Sequence, residues 1–383
     1  IGIWPFGFAV TLIPVAFMPD SFERPSSYLV WIQYMISVVP FGVLSYSVVR
    51  LEPEIILFAN FILVLAFCSA LWGTRARLLS IAPLAIPRPL KYWTIFIISI
   101  IMMLVTIREF GFKIQIVSLL DVYEIRDQFK AQAESGSRLS TYMISWQGNV
   151  MYPMLFGLAL ARRNLVLLGL ALFGEVIIFS ITGFKSMAFS MVLVAAVVLL
   201  LRKKEYAPFF MAGGSFVILS ISWILFEFYD YNLFGYVFAR RLFVVPGILG
   251  SYYMDYFLSH PKLMLSHGMF SMFFEGGAES PASIIGKNYF RFASPNSNAG
   301  IWADAYANFG IIGLFVYAQI FALCLRLFDG VGQMVDSRLS FAAICVVGFS
   351  MTNSALTTSM LTHGGLFAVA MLILLNEPQE NGR

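Results

Sequence analysis

Apolar residues run along this chain in blocks of helix length, separated by short polar turns, with little of the strict alternation that marks a half-buried strand. A helix crosses the hydrocarbon core of a bilayer with about 20 mostly apolar residues, and lipid-facing backbone must be satisfied within the segment or by closing a barrel. The block length selects helices. The pattern predicts spans at 1–18, 27–49, 53–73, 91–108, 141–160, 164–182, 184–201, 208–229, 306–326, 339–355 and 360–375. The chain opens on Ile1 rather than Met, so further sequence is expected ahead of it, and one more helix there would bring eleven spans to twelve. No cleavable signal peptide is legible in what is present.

Two stretches depart from this pattern. Segment 113–138 sets Leu119, Leu120, Val122, Tyr123, Ile125 and Phe129 among Asp121, Glu124, Arg126, Asp127 and Lys130. This predicts an amphipathic helix along the membrane interface or over the mouth of a site. Segment 231–305 is a long polar loop interleaved with Tyr and Phe, expected to fold back on the membrane surface as short helices.

Composition agrees: 59% of the residues are hydrophobic and 12% are charged, against about a quarter charged in soluble domains. The expected fold class is an all-α, polytopic membrane bundle forming a single domain over 1–383. A net charge of +4 gives no argument for nucleic acid. Lys and Arg gather instead in short loops at 74–91, 161–164 and 202–205, each an even number of spans from the next, and the positive-inside bias makes that side cytoplasmic. Segments 109–140 and 231–305 then face outward. Cys68, Cys324 and Cys345 lie inside apolar runs without metal-ligand spacing, so no disulfide, metal or cofactor is expected.

Chemistry is expected in the outward segments, where polar residues gather. Arg240 and Arg241 stand together at the head of the long loop, at a membrane end that disfavours Arg. Their planar forks suit phosphate and diphosphate oxygens; the plainer alternative is a snorkelling or salt-bridged pair that holds the loop down. Arg291, beside Lys287, either extends that basic lining or is an exposed loop charge. In the run Ser294 to Gly313, Pro295 and its neighbouring Asn residues mark a turn, and Asn or Ser offers a helix N-cap. Asp304 and Asn308 follow, four apart on one helix face, with Ala303, Ala305 and Ala307 keeping adjoining faces small.

Asp304, read at a span's outer end, is placed to act as general base for a hydroxyl, to hold the arginines, to bond sugar hydroxyls, or to be purely structural. Histidine ordinarily has the right pKa for proton transfer at neutral pH, which makes His267 a candidate, though loop histidines are more often surface residues, and its spacing with His260 fits no metal motif. Lys185, in an outward turn with Gly183, either touches phosphate or snorkels. Glu175, in mid-span, must face the bundle interior, as a proton relay or a hydrogen-bonded structural acid.

The layout resembles the bacterial oligosaccharide repeat-unit polymerases (O-antigen or capsule polymerases, the Wzy family). The residues that carry the likeness are Arg241-Leu-Phe-Val-Val-Pro-Gly247 with Tyr253, Asp255 and Tyr256-Phe257 following, the turn with Gly183, Lys185 and Ser186, and the run from Asn298-Ala-Gly through Asp304-Ala-Tyr-Ala-Asn-Phe-Gly310 to Gly313. The resemblance implies a GT-C-like bundle in the bacterial plasma (inner) membrane. Its implied partners are an undecaprenyl-diphosphate-linked oligosaccharide and membrane lipids, with a chain-length regulator and a flippase as associated proteins, and no metal. Residues and resemblance together name Asp304, Arg241 and His267 as catalytic, and Arg240, Arg291, Asn298, Asn308, Lys185 and Tyr253 as substrate-binding. The related O-antigen ligases carry His directly before the corresponding Asn; here that residue is Ser297, which argues for polymerase over ligase and leaves the base open between Asp304, His267 and none. A flippase or a non-catalytic scaffold are the readings from other classes.

Overall fold

The computed structural model describes residues 4–76, 79, 81, 84, 86–115, 122–274, 279–290 and 297–376. Among them every element is helical and no strand occurs. The helices are α1 (Trp4–Leu12), α2 (Pro25–Gln33), α3 (Val39–Val48), α4 (Pro53–Thr74), α5 (Arg88–Phe110), α6 (Val122–Ser135), α7 (Arg138–Trp146), α8 (Tyr152–Arg162), α9 (Leu165–Thr182), α10 (Lys185–Leu200), α11 (Ala207–Tyr229), α12 (Val245–Ser259), α13 (Pro281–Ile285), α14 (Ile301–Gly332), α15 (Ser337–Ser350), α16 (Leu356–Leu361) and α17 (Gly365–Leu375).

Seven helical stretches among the described residues are long and apolar enough to cross a bilayer: Pro25–Val48, Pro53–Thr74, Arg88–Phe110, Leu165–Thr182, Lys185–Tyr229, Ile301–Gly332 and Leu356–Leu375. Trp4–Phe17 and Ser337–Ser350 are shorter apolar helices. The stretch Lys185–Tyr229 breaks at Lys203 (φ −134, ψ 61), which divides it into the two spans expected there. The expected span 141–160 is helical throughout but carries buried Gln147 and Asn149 at its centre, and it is not among the seven. Large apolar side chains cover the outside of the bundle; Trp72, Leu165 and Phe216 are 76%, 79% and 72% exposed. Water would not tolerate such a surface, whereas lipid favours it.

Local chemistry explains where the helices bend. Pro40, Pro153 and Pro246 each stand two residues beyond a π-helical turn, at Tyr34–Val38, Gln147–Met151 and Gly235–Val244. Proline lacks an N–H and its ring crowds the carbonyl four residues back, so the preceding turn widens instead of breaking. Asn164 caps α9 by accepting N–H from Val166 and Leu167, and left-handed Gly183 ends it. A Cβ on Gly183 would sit 2.7 Å from the carbonyl oxygen of Val122, because α6 lies directly over this turn. Phe129 of α6 packs between Phe110 and Phe184, with Glu124 and Asp127 on the exposed face. The amphipathic helix is shorter than the expected 113–138: Lys113 to Gln115 are not helical, and Leu119, Leu120 and Asp121 lie outside the described residues.

The expected surface loop 231–305 is largely helix at its start. A π turn at Gly235–Val244 runs straight into α12, which packs into the bundle against α3 and α14. Contact with α3 is close: Ser45 and Ser251 hydroxyls lie 2.9 Å apart, and a Cβ on Gly247 would meet the Pro40 carbonyl at 2.8 Å. Small residues at these positions let the two backbones approach.

Candidate functional site

The site is built by a reversal within α14. Gly310 has φ 62 and ψ −141, a conformation that only glycine adopts readily. Trp302 and Phe321 would stand about 28 Å apart on a straight helix; their rings are 6.0 Å apart. A Cβ on Gly313 would meet the Ala305 carbonyl oxygen at 2.3 Å. Residues 301–309 therefore form a short arm folded back on the long arm, 311–332. The expected span 306–326 is corrected accordingly, and Asp304 does not cap the outer end of a crossing helix. It lies inside, on the short arm, near Tyr317 of the long arm.

The start of the short arm is buried beside other interrupted backbone. Ile301 N–H donates to the Met351 carbonyl, just past the end of α15, and Trp302 packs edge-on against Phe67 inside the span Pro53–Thr74. Non-helical backbone at membrane depth is tolerated where it is enclosed by protein or lines a cavity. Both conditions hold at Gly300, which is buried and lines an apolar cleft.

The bend leaves carbonyls of the short arm short of helical partners. The segment after α12 supplies them: Leu263 N–H donates to Ala307 O and Met264 N–H to Asn308 O, each at 3.1 Å. Leu265 N–H donates to Asn308 Oδ1 (3.0 Å), and His267 Nε2 meets the same oxygen at 3.1 Å. Asn308 Nδ2 in turn donates to the Asp304 carbonyl (2.9 Å) and to Asp304 Oδ1 (3.2 Å). These partners fix the Asn308 amide, so the His267 proton lies on Nε2 and the Nδ1 lone pair is left for proton acceptance. Partial burial lowers the His267 pKa below its ordinary 6.5.

The linkage sign follows. The unfolded chain takes up a proton near pH 6.5 before folded His267 does, so this group's contribution to stability is complete above that pH and is lost as pH falls through the folded pKa. Thermal unfolding in detergent should show a melting temperature that drops from roughly pH 7 to pH 5, and His267→Gln should flatten that part of the profile. An identical slope in the variant would exclude His267 as its source.

The remaining candidates divide. Tyr253, buried on α12, donates its hydroxyl to the Ser297 carbonyl (3.0 Å) and so anchors the entrance to the short arm rather than facing a ligand with that group. Asn298 is exposed beside it. Arg240 and Arg241 are exposed on the π turn before α12, with Arg240 over the Tyr236 ring at 4.6 Å. No hydrogen bond, ion pair or ring contact joins either arginine to the Asp304–Asn308–His267 cluster among the described residues. Lys185 begins α10, beside the turn covered by α6. Arg291 and the turn Ser294-Pro295-Asn296 lie outside the described residues. Glu175 faces the interior as expected and accepts the Ser190 hydroxyl at 3.0 Å.

Three residues were not singled out by sequence: Tyr317, which faces Asp304; Tyr306; and Lys262, whose ammonium lies over the Tyr306 ring at 4.6 Å. The approach of a Tyr and an Asp thirteen positions apart on one apparent helix has no signal in the sequence unless Gly310 is read as a reversal. On the other face of the short arm lies an apolar cleft of ≈ 100 Å3, walled by α3, α4, α12 and α14.

Fold and surface define this chain as a helical membrane protein. Compared with protein-family models, curated proteins and solved structures, it finds no match.

Proposed function

We propose that this protein is a GT-C-like membrane glycosyltransferase of the bacterial plasma membrane. It would join polyprenyl-diphosphate-linked oligosaccharide repeat units on the extracytoplasmic side. The observation that carries this reading is the reversal at Gly310, which gathers a carboxylate, an amide and an imidazole, its Nδ1 without a partner among the described residues, beside an apolar cleft. A polar cluster against a hydrocarbon-compatible cleft suits a substrate with a sugar end and a lipid end.

In this scheme the acceptor sugar hydroxyl attacks the anomeric carbon of the donor glycan. Its proton passes to Asp304 or to His267 Nδ1, the new C–O bond forms, and the bond from the anomeric carbon to the diphosphate oxygen breaks. Polyprenyl diphosphate leaves with the bonding electrons. Arg240 and Arg241 would steady the charge on that leaving group, fixed cations acting strongly in a partly dry site. Asn308 holds the two candidate bases in fixed orientation.

The test is direct. Purified protein in vesicles, given a synthetic lipid-linked repeat unit, should yield a ladder of glycans and one free polyprenyl diphosphate per bond formed. Arg241→Ala should abolish long chains while protein level and the single-repeat substrate persist. A wild-type protein that makes no ladder from bound substrate would falsify the reading.

A second reading is supported by the helix breaks at Gly310 and between Ser350 and Leu356, since interrupted helices at the bilayer midplane also occur in transporters. Transbilayer movement of the lipid-linked glycan without any ladder would favour it.

A further inference from the structure

The short arm has two faces. Asp304 and Asn308 look toward Tyr317 and the segment after α12, while Trp302, Ala303 and Tyr306 line the cleft. Phe41, Leu63, Gly250 and Met254 make up much of its walls. Its inner end is closed, at Gly300, Trp302 and Thr352, all buried. Its rim is open: Phe58 is 55% exposed and Leu258 46%. Phe58 shares α4 with exposed Phe61, Leu65 and Trp72, the kind of surface that faces lipid. The cleft thus opens sideways to the bilayer, and a hydrocarbon chain can enter it without crossing water.

A cation, Lys262, lies close to this rim. Lys262 lies over Tyr306, donates to the Phe257 carbonyl, and its Cε lies 3.0 Å from where a Cβ on Gly310 would be. Phe257 and Gly310 adjoin the rim residues Leu258 and Ile311. No carboxylate pairs with Lys262 among the described residues. An apolar cleft open to lipid with an ammonium at its mouth that no described carboxylate pairs is complementary to a lipid having a hydrocarbon chain and an anionic head.

We infer that the cleft takes the head-proximal part of an isoprenyl chain and that Lys262 takes the attached diphosphate. The diphosphate then lies at the Gly310 bend, level with the segment that carries His267. This rests on the lipid-linked donor proposed above, and it assigns that donor's carrier to a position between α4 and α12. It also adds Lys262 to the arginine pair as a cation for the leaving group.

Binding can be tested without turnover. The full chain, reconstituted in nanodiscs, is irradiated with a short-chain isoprenyl diphosphate bearing a diazirine on its tail. Label is expected on peptides covering 55–63 and 246–258. Unlabelled isoprenyl diphosphate should compete, and inorganic diphosphate should not. Ala303→Phe and Gly250→Leu, which fill the cleft, should remove the label. Lys262→Gln should cut the preference for isoprenyl diphosphate over isoprenyl alcohol by roughly tenfold, and Lys262→Arg should restore it. Melting temperatures identify any variant that fails to fold, and competition by wild-type protein with unlabelled lipid then decides the matter alone.

Label elsewhere on the chain, equal competition by inorganic diphosphate, or an unchanged preference in Lys262→Gln would each overturn the assignment. The two proposals fail separately. Labelled protein that makes no polymer sinks the polymerase and leaves the cleft; polymer made by a protein labelled elsewhere does the reverse.

Discussion

With Asp304 replaced by Asn, turnover of a lipid-linked repeat unit is expected to fall by about 10²–10⁴-fold, the range for loss of a general base. The variant should fold, because the amide keeps the shape and an oxygen able to accept from Asn308 Nδ2, as Asp304 Oδ1 does at 3.2 Å. Substrate capture should persist, since the cleft lies on the opposite face of the short arm. The measurement is initial rate on purified protein beside probe labelling and melting temperature. His267→Gln makes the comparison informative. If only Asp304→Asn slows the reaction, the carboxylate takes the proton; if only His267→Gln does, the imidazole takes it and Asp304 positions Asn308. Full activity in both would mean that departure of the diphosphate needs no base.

The second large effect belongs to Gly310→Ala. A side chain at φ 62 and ψ −141 costs about 1–3 kcal/mol, and the added Cβ would press on the Lys262 Cε. Alanine also favours continuation of the helix, which would straighten α14 and pull Asp304 away from Tyr317 and His267. Activity should be lost together with the paired contacts, and thermal unfolding should shift downward. Gly213→Ala is the control: this glycine lies within α11 with nothing near its would-be Cβ, so alanine there should be neutral or stabilise by up to about 1 kcal/mol. Equal behaviour of the two variants would remove the special role of Gly310.

Much of the framework was legible because lipid constrains it. Apolar blocks between polar turns located most of the helices, and prolines such as Pro153 and Pro246 announce the turns that widen before them. Segment 122–135 could be read as amphipathic from the spacing of Val122, Ile125 and Phe129. The reversal in α14 could not. Asn308-Phe-Gly-Ile-Ile-Gly313 reads as an apolar helical run with a tolerated glycine, and what decides otherwise is the capture of the Ala307 and Asn308 carbonyls by Leu263 and Met264, over forty residues earlier in the chain.

The same holds for the site. Asp304 and Asn308 were recognisable as a polar pair on one helix face, and His267 as a candidate base. Their connection through the two ends of one amide depends on tertiary packing. Lys262 carries no signal in the sequence, where an isolated loop lysine is ordinarily a solvated charge; its position over Tyr306 is what changes its meaning. Arg240 and Arg241 were conspicuous for their number and location, and the structure gives them no contact with the cluster.

The folded-back arm has a consequence for how the protein is made. Residues 301–309 extend only about 13 Å as a helix and carry Asp304 and Asn308, so they cannot partition into the bilayer as a spanning segment. Leu263, Met264 and His267 are made before the arm, but its other partners arrive later in synthesis: Tyr317 and Phe321 on the long arm, then Met351 beyond α15. The arm is therefore expected to reach its buried position only once those later helices are inserted. A nascent chain arrested shortly after Gly332 should leave Ala303 open to aqueous thiol labelling as Cys, and release to full length should close it. Assembly of the site is thus a late step, completed after most of the chain has already entered the membrane.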